Sequence, residues 1–315
     1  MATLVAPNET SPVEEAETLH KAFKGWGTDE KTVIAILGHR NVHQRQSIRK
    51  AYEELYQEDL IKRLESELSG DFERALYRWM LEPVDRDAVM ANVAIKNGSK
   101  SYHVIVEIAC VLSPEELLAV RRAYHNRNKR SLEEDIATNT NSGDIRQLLV
   151  GLVSSFRYGG DEINARLAKT EADILHESIK EKKGNHEEAI RILTTRSKTQ
   201  LLATFNRYRD DHGTSITKKL LDHASDDFEK ALHTAIRCIN DHKKYYEKVL
   251  RNAMKRVGTD EDAITRAVVS RAEKDMKDIK ELYYKRNSVH LEDAVAKEIS
   301  GDYKKLILTL LGKHH

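Results

Sequence analysis

Cysteine is scarce in this chain of 315 residues, which holds two, Cys110 and Cys238. Two are too few for the disulfide framework of a secreted protein of this length. They fit a reducing compartment, where buried thiols stay free. An excess of one charge is missing as well: 52 Lys and Arg stand against 51 Asp and Glu. So balanced a chain has no field of its own with which to hold nucleic acid or an anionic membrane. If it binds an anionic surface, a bound metal ion is the natural source of the positive charge. Long apolar runs are also lacking. The best, VIVEIACVL, is interrupted by Glu107 and falls well short of the roughly 18 residues of a membrane span, so any membrane role is expected to be peripheral. The opening residues, MATLVAPNETSPVEEAE, contain no basic stretch followed by an apolar one and do not read as a secretory signal. A cytoplasmic location is expected, with the sequons at Asn8 and Asn97 unmodified. Proline (4) and glycine (14) are few, and Leu, Glu, Lys and Arg recur at helical spacing without alternating strand patterns. The chain reads all-α.

What is present is a repeat. Ser69-Gly70-Asp71-Phe72, Ser142-Gly143-Asp144-Ile145, Ser225-Asp226-Asp227-Phe228 and Ser300-Gly301-Asp302-Tyr303 recur at spacings of 73, 83 and 75 residues. A shift of 231 residues lays the first unit on the fourth without a gap: Gly27-Thr28-Asp29-Glu30 falls on Gly258-Thr259-Asp260-Glu261, Arg40 on Arg271, Leu60 on Leu291 and Glu67 on Glu298. A shift of 156 carries Arg40, Tyr52 and Phe72 onto Arg196, Tyr208 and Phe228. Each unit reads as about five helices. In the first, helix A is expected over Val13 to Phe23. Helix B is capped by Thr28, with Asp29 and Glu30 in its first turn. Helix C covers Gln44 to Tyr56, helix D Asp59 to Leu68, and helix E follows a Ser69 cap to Met80. A unit of about 70 residues has a marginal core alone, so four are expected to pack into one assembly.

The loop Phe23-Lys24-Gly25-Trp26-Gly27-Thr28-Asp29 carries the chemistry. Two glycines around one residue open backbone conformations closed to others, so carbonyls can converge on one point. Calcium takes six to eight oxygens, and carbonyls serve it well. The loop lacks a bidentate carboxylate, but Glu67 comes forty residues after Gly27, and Glu298 forty after Gly258. Carbonyls with one distant acid make an incomplete cage that a lipid phosphate can finish, and by reciprocity lipid then tightens calcium. No acid-rich EF-hand loop is present.

A GxGTD loop with an acid about forty residues on, in a fourfold repeat of about 70 residues covering the whole chain, resembles the annexins. Gly25-Trp26-Gly27, the short N-terminus and His39-Arg40-Asn41 resemble the plant members. The resemblance implies four five-helix repeats packed into one curved disc with calcium sites on its convex face: a tail over 1–12, then repeats over 13–82, 83–158, 165–240 and 241–315. It implies calcium-dependent binding to anionic phospholipid, without nucleic acid, with oligomers on the membrane as an option. The ligand set it implies in repeat I is the carbonyls of Phe23, Gly25 and Gly27 and the carboxylate of Glu67. In repeat IV it is Met254, Arg256, Gly258 and Glu298, with Arg256 in place of the first glycine. Repeat II has Asn97-Gly98-Ser99 in its loop and Asn139 or Thr140 at the acid position. Repeat III has Lys183 for Gly27 and His223 for Glu67. Both are expected to be silent. Trp26, between glycines, is expected outside, where an indole suits a membrane interface.

Other family activities find less support in the residues. His39 is where a peroxidase-like activity has been placed, but it reads as a structural histidine. Ile190-Arg191-Ile192 resembles a proposed F-actin tripeptide, but its isoleucines read as helix core. Cys110 and Cys238, a candidate redox pair, read as inert core thiols. Leu311-Gly312-Lys313 lacks the upstream glycine of a nucleotide-binding loop. In the family the arginine at 40, 196 and 271 belongs to an axial polar network, and Leu112 in repeat II weakens an ion-conducting reading.

With charge so nearly balanced, pelleting with phosphatidylserine vesicles is expected to need calcium. Sedimentation in calcium and in chelator checks this, and equal pelleting in both would contradict it.

Overall fold

The computed structural model describes all residues except 25–26, 66–69, 142, 155, 181–185, 224–225, 256 and 314–315, and the side chain of His223. Among the described residues the regular elements are all helical, as the composition requires. In chain order they are α1 (Pro12–Phe23), α2 (Glu30–Leu37), α3 (Val42–Tyr56), α4 (Leu60–Glu65) and α5 (Asp71–Met80). Then come α6 (Pro83–Asn97), α7 (Tyr102–Val111), α8 (Pro114–Asn128), α9 (Leu132–Asn139) and α10 (Asp144–Ser154). The third group is α11 (Ala165–Lys180), α12 (Glu187–Thr195), α13 (Lys198–His212), α14 (Ile216–His223) and α15 (Asp227–Asn240). The last is α16 (His242–Lys255), α17 (Glu261–Arg271), α18 (Met276–Asn287), α19 (Leu291–Glu298) and α20 (Gly301–Leu310). A 3₁₀ turn, Gly98–Ser101, joins α6 to α7.

Local sequence explains where several helices begin. Asn41 and Gln44 close a capping box at α3, each side chain meeting the other's amide at 2.9 Å. Ser113, Ser131 and Ser197 accept from the third amide of α8, α9 and α13, each satisfying a donor the helix leaves free. The cap of α2 lies one residue beyond the expected Thr28. Asp29 takes it, accepting from the Thr32 amide at 3.1 Å, and Asp260 does the same at α17 with Ala263 at 3.0 Å. A carboxylate there also meets the positive end of the helix. The expected Ser69 cap lies outside the described residues; Gly70 precedes α5. The third helix of each group ends on a left-handed residue: Gln57, Lys129, Gly213 and Ser288, at φ +55 to +70. Three of these are not glycine, so the turn is imposed by packing and not announced by the sequence.

The chain forms two compact units: residues 1–83 with 243–315, and residues 84–242. In the first, Trp79 is fully buried, donates its indole N–H to the Leu37 carbonyl at 2.8 Å, and carries the Arg45 guanidinium 3.7 Å above its ring. Glu273 binds α3 from the far end of the chain, accepting from the Val42 amide at 2.7 Å and from Arg45 at 2.9 Å. Arg78 reaches Asp262 at 2.7 Å. The N-terminal residues are stitched into the same unit: the Thr3 and Leu4 amides donate to the Ala272 carbonyl, and the Thr3 hydroxyl donates to Leu310. Buried Glu247 is held by Arg251, Arg286 and Asn287 at 2.9–3.2 Å. In the second unit α7 packs on α15 and α10, and α11 on α13. No helix among the described residues is long and apolar enough to cross a membrane.

Trp79→Ala removes a fully buried indole, its hydrogen bond and the surface on which Arg45 lies. A loss of roughly 3–5 kcal/mol in unfolding free energy is expected. Urea denaturation checks it, and a change under 1 kcal/mol would mean that Trp79 does not anchor this core.

Candidate functional site

The first unit holds both loops singled out by the sequence, and they are built alike. At each, the aspartate that caps the second helix donates its own amide back to the end of the first: Asp29 to Ala22 at 2.9 Å and Asp260 to Ala253 at 3.0 Å. That bond pinches the loop at its base. Inside it Gly27 lies at φ +93 and Gly258 at φ +89. A Cβ built on either glycine meets nothing within 4 Å, so the backbone angle, and not space, demands glycine. The Thr32 hydroxyl at 2.7 Å and its amide hold the Asp29 carboxyl below its ordinary pKa.

The distant acid of the fourth repeat reaches its loop. Glu298 ends α19 with an exposed side chain, and its Oε2 accepts from the Thr259 hydroxyl at 3.1 Å, 39 residues away. Met254, half-buried, lies in the last turn of α16, one turn before the loop. In the first repeat Phe23 ends α1, and its carbonyl accepts from Arg63 of α4 at 3.4 Å. Gly25, Trp26, Glu67 and Arg256 lie outside the described residues. A cavity of about 320 Å³ beside these elements is lined by Glu30, Asp71, Glu261, Glu298 and Asp302, so the surroundings carry negative charge. Among the described residues no three His, Cys, Asp or Glu side chains gather as metal ligands. The carbonyl oxygens and single carboxylate expected from the sequence are a donor set that would suit a hard cation such as calcium.

The second repeat differs. Gly98 opens a 3₁₀ turn, and no Thr-Asp cap follows it. At the acid position Asn139 donates its amide to the Asp135 carbonyl at 2.8 Å, and the Thr140 carbonyl accepts from Arg146 at 2.7 Å. Both groups are used locally. In the third repeat Lys183 and the His223 side chain lie outside the described residues.

Sequence reasoning passed over two residues here. Val257, next to Gly258 in the fourth-repeat loop, is fully exposed; its signal was the 231-residue shift that lays Trp26 on it. Thr259, matched to Thr28, is the residue that meets Glu298.

The remaining candidates are dispersed. His39 places its ring Nδ1 3.1 Å from the Val5 carbonyl, tying down the N-terminal segment. Ile190 and Ile192 are buried on α12, while Arg191 pairs with Glu188 at 2.8 Å and Glu171 at 3.7 Å. Gly312, at φ +85, lies where a Cβ would meet the Thr3 carbonyl at 2.8 Å, and Lys313 pairs with Asp293. Cys110 and Cys238 are free and buried in the second unit. Burial pushes the Cys110 thiol up to about 11 and Cys238 well above its ordinary value, which suppresses the thiolate that redox chemistry needs.

The family model for annexins matches four times, over residues 14–79, 86–152, 170–235 and 245–310. The chain is 68% identical over 313 residues to annexin-like protein RJ4 of Fragaria ananassa, covering 99% of each. It is 52% identical over 318 residues to annexin D6 of Arabidopsis thaliana, covering 100% of each. Among solved structures, annexin III superposes with a TM-score of 0.91 at 31% identity, over 100% of this chain and 98% of that one. Calcium-bound annexin (Sm)1 does so with a TM-score of 0.82 at 28% identity, over 100% and 94%.

The burial of both thiols predicts that a disulfide-exchange reagent at pH 8 labels neither cysteine until denaturant is added. Rapid labelling of native protein would put a thiol at the surface.

Proposed function

The chain belongs to the annexin family, plant annexins among its relatives, and from that premise we propose that it attaches to anionic phospholipid in a calcium-dependent way through two carbonyl loops. Calcium-dependent phospholipid binding is general to the family. The finer assignment is that the sites are residues 23–29 with Glu67 and residues 254–260 with Glu298, while repeats II and III do not contribute. The observation that carries it is the arrival of the Glu298 carboxylate at Thr259, beside a glycine in the left-handed region.

In repeat I the carbonyls of Phe23, Gly25 and Gly27 and the carboxylate of Glu67 form the set. In repeat IV it is the carbonyls of Met254, Arg256 and Gly258 and the carboxylate of Glu298. Arg256 contributes a carbonyl, so its side chain does not disqualify it. Bound calcium supplies the positive charge that a nearly neutral chain lacks and leaves coordination positions for lipid phosphate oxygens. The chain's own residues do the rest. Gly258 turns carbonyls outward, and the Thr259 hydroxyl holds Glu298 beside them. Glu30, Glu261 and Asp302 keep the surroundings negative, which draws in cations and repels anionic lipid until that charge is met. Val257, at 110% relative exposure, and Trp26 in the matching position offer apolar tips to the interface. The chain then acts as a calcium-gated peripheral membrane protein of the cytoplasm.

The readings of His39 as a peroxidase residue and of Ile190-Arg191-Ile192 as an actin contact gain no support. The histidine is engaged with the N-terminal backbone, and the isoleucines are buried.

Glu298→Gln and Glu67→Gln keep the shape of the ligand and remove its charge. Each is expected to raise the half-maximal calcium for vesicle binding on the order of tenfold, about 1.4 kcal/mol, Glu67→Gln more strongly because repeat I keeps both loop glycines. The double variant should nearly abolish calcium-driven binding, and His223→Ala should leave it unchanged. Circular dichroism controls for the fold. Wild-type calcium dependence in the double variant, or failure of His223→Ala, would contradict the assignment.

A further inference from the structure

The second unit contains a cavity of about 300 Å³ bounded by Ser113, Pro114, Arg157, Tyr158, Gly160 and Lys198. Two of its walls are cations, Arg157 buried and Lys198 half-buried. Arg157 is 6% exposed, and burial lowers the pKa of both Arg157 and Lys198. Their hydrogen bonds go to neutral main-chain oxygens. Arg157 donates to the Arg196 carbonyl at 2.6 Å, and Lys198 donates to the Val111 and Leu112 carbonyls at 3.3 and 3.1 Å. Among the described residues no ion pair joins either of them to a carboxylate. Glu116 also lines the cavity, but of the charges felt by Lys198 it has the smallest effect. The N-terminus of α8, with its partial positive charge, opens on the same space. A buried Arg157 and a half-buried Lys198, hydrogen-bonded only to neutral carbonyls, leave charge without a paired carboxylate, which is costly where hydration is reduced.

The first unit gives an internal comparison. The repeat alignment lays Val42 on Pro114, Arg45 on Leu117 and Lys198 on Glu273. In the first unit the Glu273 carboxylate fills the corresponding place, accepting from the Val42 amide and from Arg45. In the second unit every partner of that arrangement has changed. Proline has no amide to donate, leucine has replaced the arginine, and the acid itself has become Lys198. Arg157 brings a second cation from the segment between α10 and α11. Where one half of the chain supplies its own oxyanion, the other half presents cations and space.

We propose that this cavity binds a small soluble oxyanion, a carboxylate or a phosphate, gripped by the Arg157 guanidinium and the Lys198 ammonium. Arg157 offers a planar fork that matches either group, and Lys198 supplies a point charge. The site lies in the unit that lacks the proposed calcium loops, so it can be tested without calcium.

The experiment is isothermal titration calorimetry of the full chain in chelator, with inorganic phosphate and acetate as probes and chloride at equal ionic strength as the blank. Saturable binding at a stoichiometry of one is expected for at least one probe. Arg157→Gln and Lys198→Met should each weaken it at least tenfold, Lys198→Arg should retain it, and Lys198→Glu should abolish it by placing an internal carboxylate in the cavity. Circular dichroism and calcium-dependent vesicle pelleting, expected at wild-type levels in every variant, show that each is folded. Absence of saturable binding in the wild type, or wild-type affinity in folded Arg157→Gln and Lys198→Met, overturns the proposal. If the calcium loops were wrongly assigned, the Glu67→Gln and Glu298→Gln double variant would keep wild-type calcium dependence and this titration would be unaffected.

Discussion

A loop that presents carbonyl oxygens to a cation must turn its backbone through angles that a side chain makes expensive. Gly27 and Gly258 meet that requirement at φ +93 and +89, with open space where a Cβ would stand. The rest of the site follows from this turn. The amides of Asp29 and Asp260 return to the preceding helix and pinch the loop, and their carboxylates start the next one. Each loop is therefore fixed at both ends by helices that have a core to hold them. The acid arrives from elsewhere. Glu298 stands at the end of α19, and its position depends on how that helix packs and not on the loop's own sequence.

The proposed carbonyl cage with one carboxylate explains why the chain can be almost neutral and still belong to a family that binds phospholipid. The attraction is not stored in the composition. On the proposed reading it is assembled when calcium meets a surface patch that is itself acidic, lined by Glu30, Asp71, Glu261 and Asp302. A strongly basic patch would bind anionic lipid at all times, whereas a weak cage in an acidic setting couples attachment to calcium, and lipid and calcium assist each other by linkage.

Much of this was legible in the sequence because repetition exposes it. The 231-residue shift aligned both loops and both acids, and the recurrence of Leu, Glu, Lys and Arg at helical spacing gave the helices. The parts that stayed hidden depend on contacts between distant segments. Glu273 clasps α3 across the chain, and nothing near residue 273 announces it. Gln57, Lys129 and Ser288 adopt left-handed angles that glycine would have signalled. The cap of α2 moved from Thr28 to Asp29 because both residue types cap well, and only the amide bond to Ala22 decides between them. Departures from the repeat were informative in the same way: Leu112, Pro114, Leu117 and Lys198 mark where the second unit abandons the network that the first retains.

The claim on which the account turns is that carbonyl loop and distant acid converge on one cation in repeats I and IV. A crystal structure of the chain grown with calcium, with anomalous differences measured to identify the ion, tests it most directly. The account predicts calcium within about 2.3–2.6 Å of the Gly258 carbonyl and a Glu298 oxygen, a matching ion at Gly27 and Glu67, and none at Asn97-Gly98-Ser99. Calcium bound at the second-repeat loop, or a fourth-repeat ion that Glu298 does not touch, would contradict it.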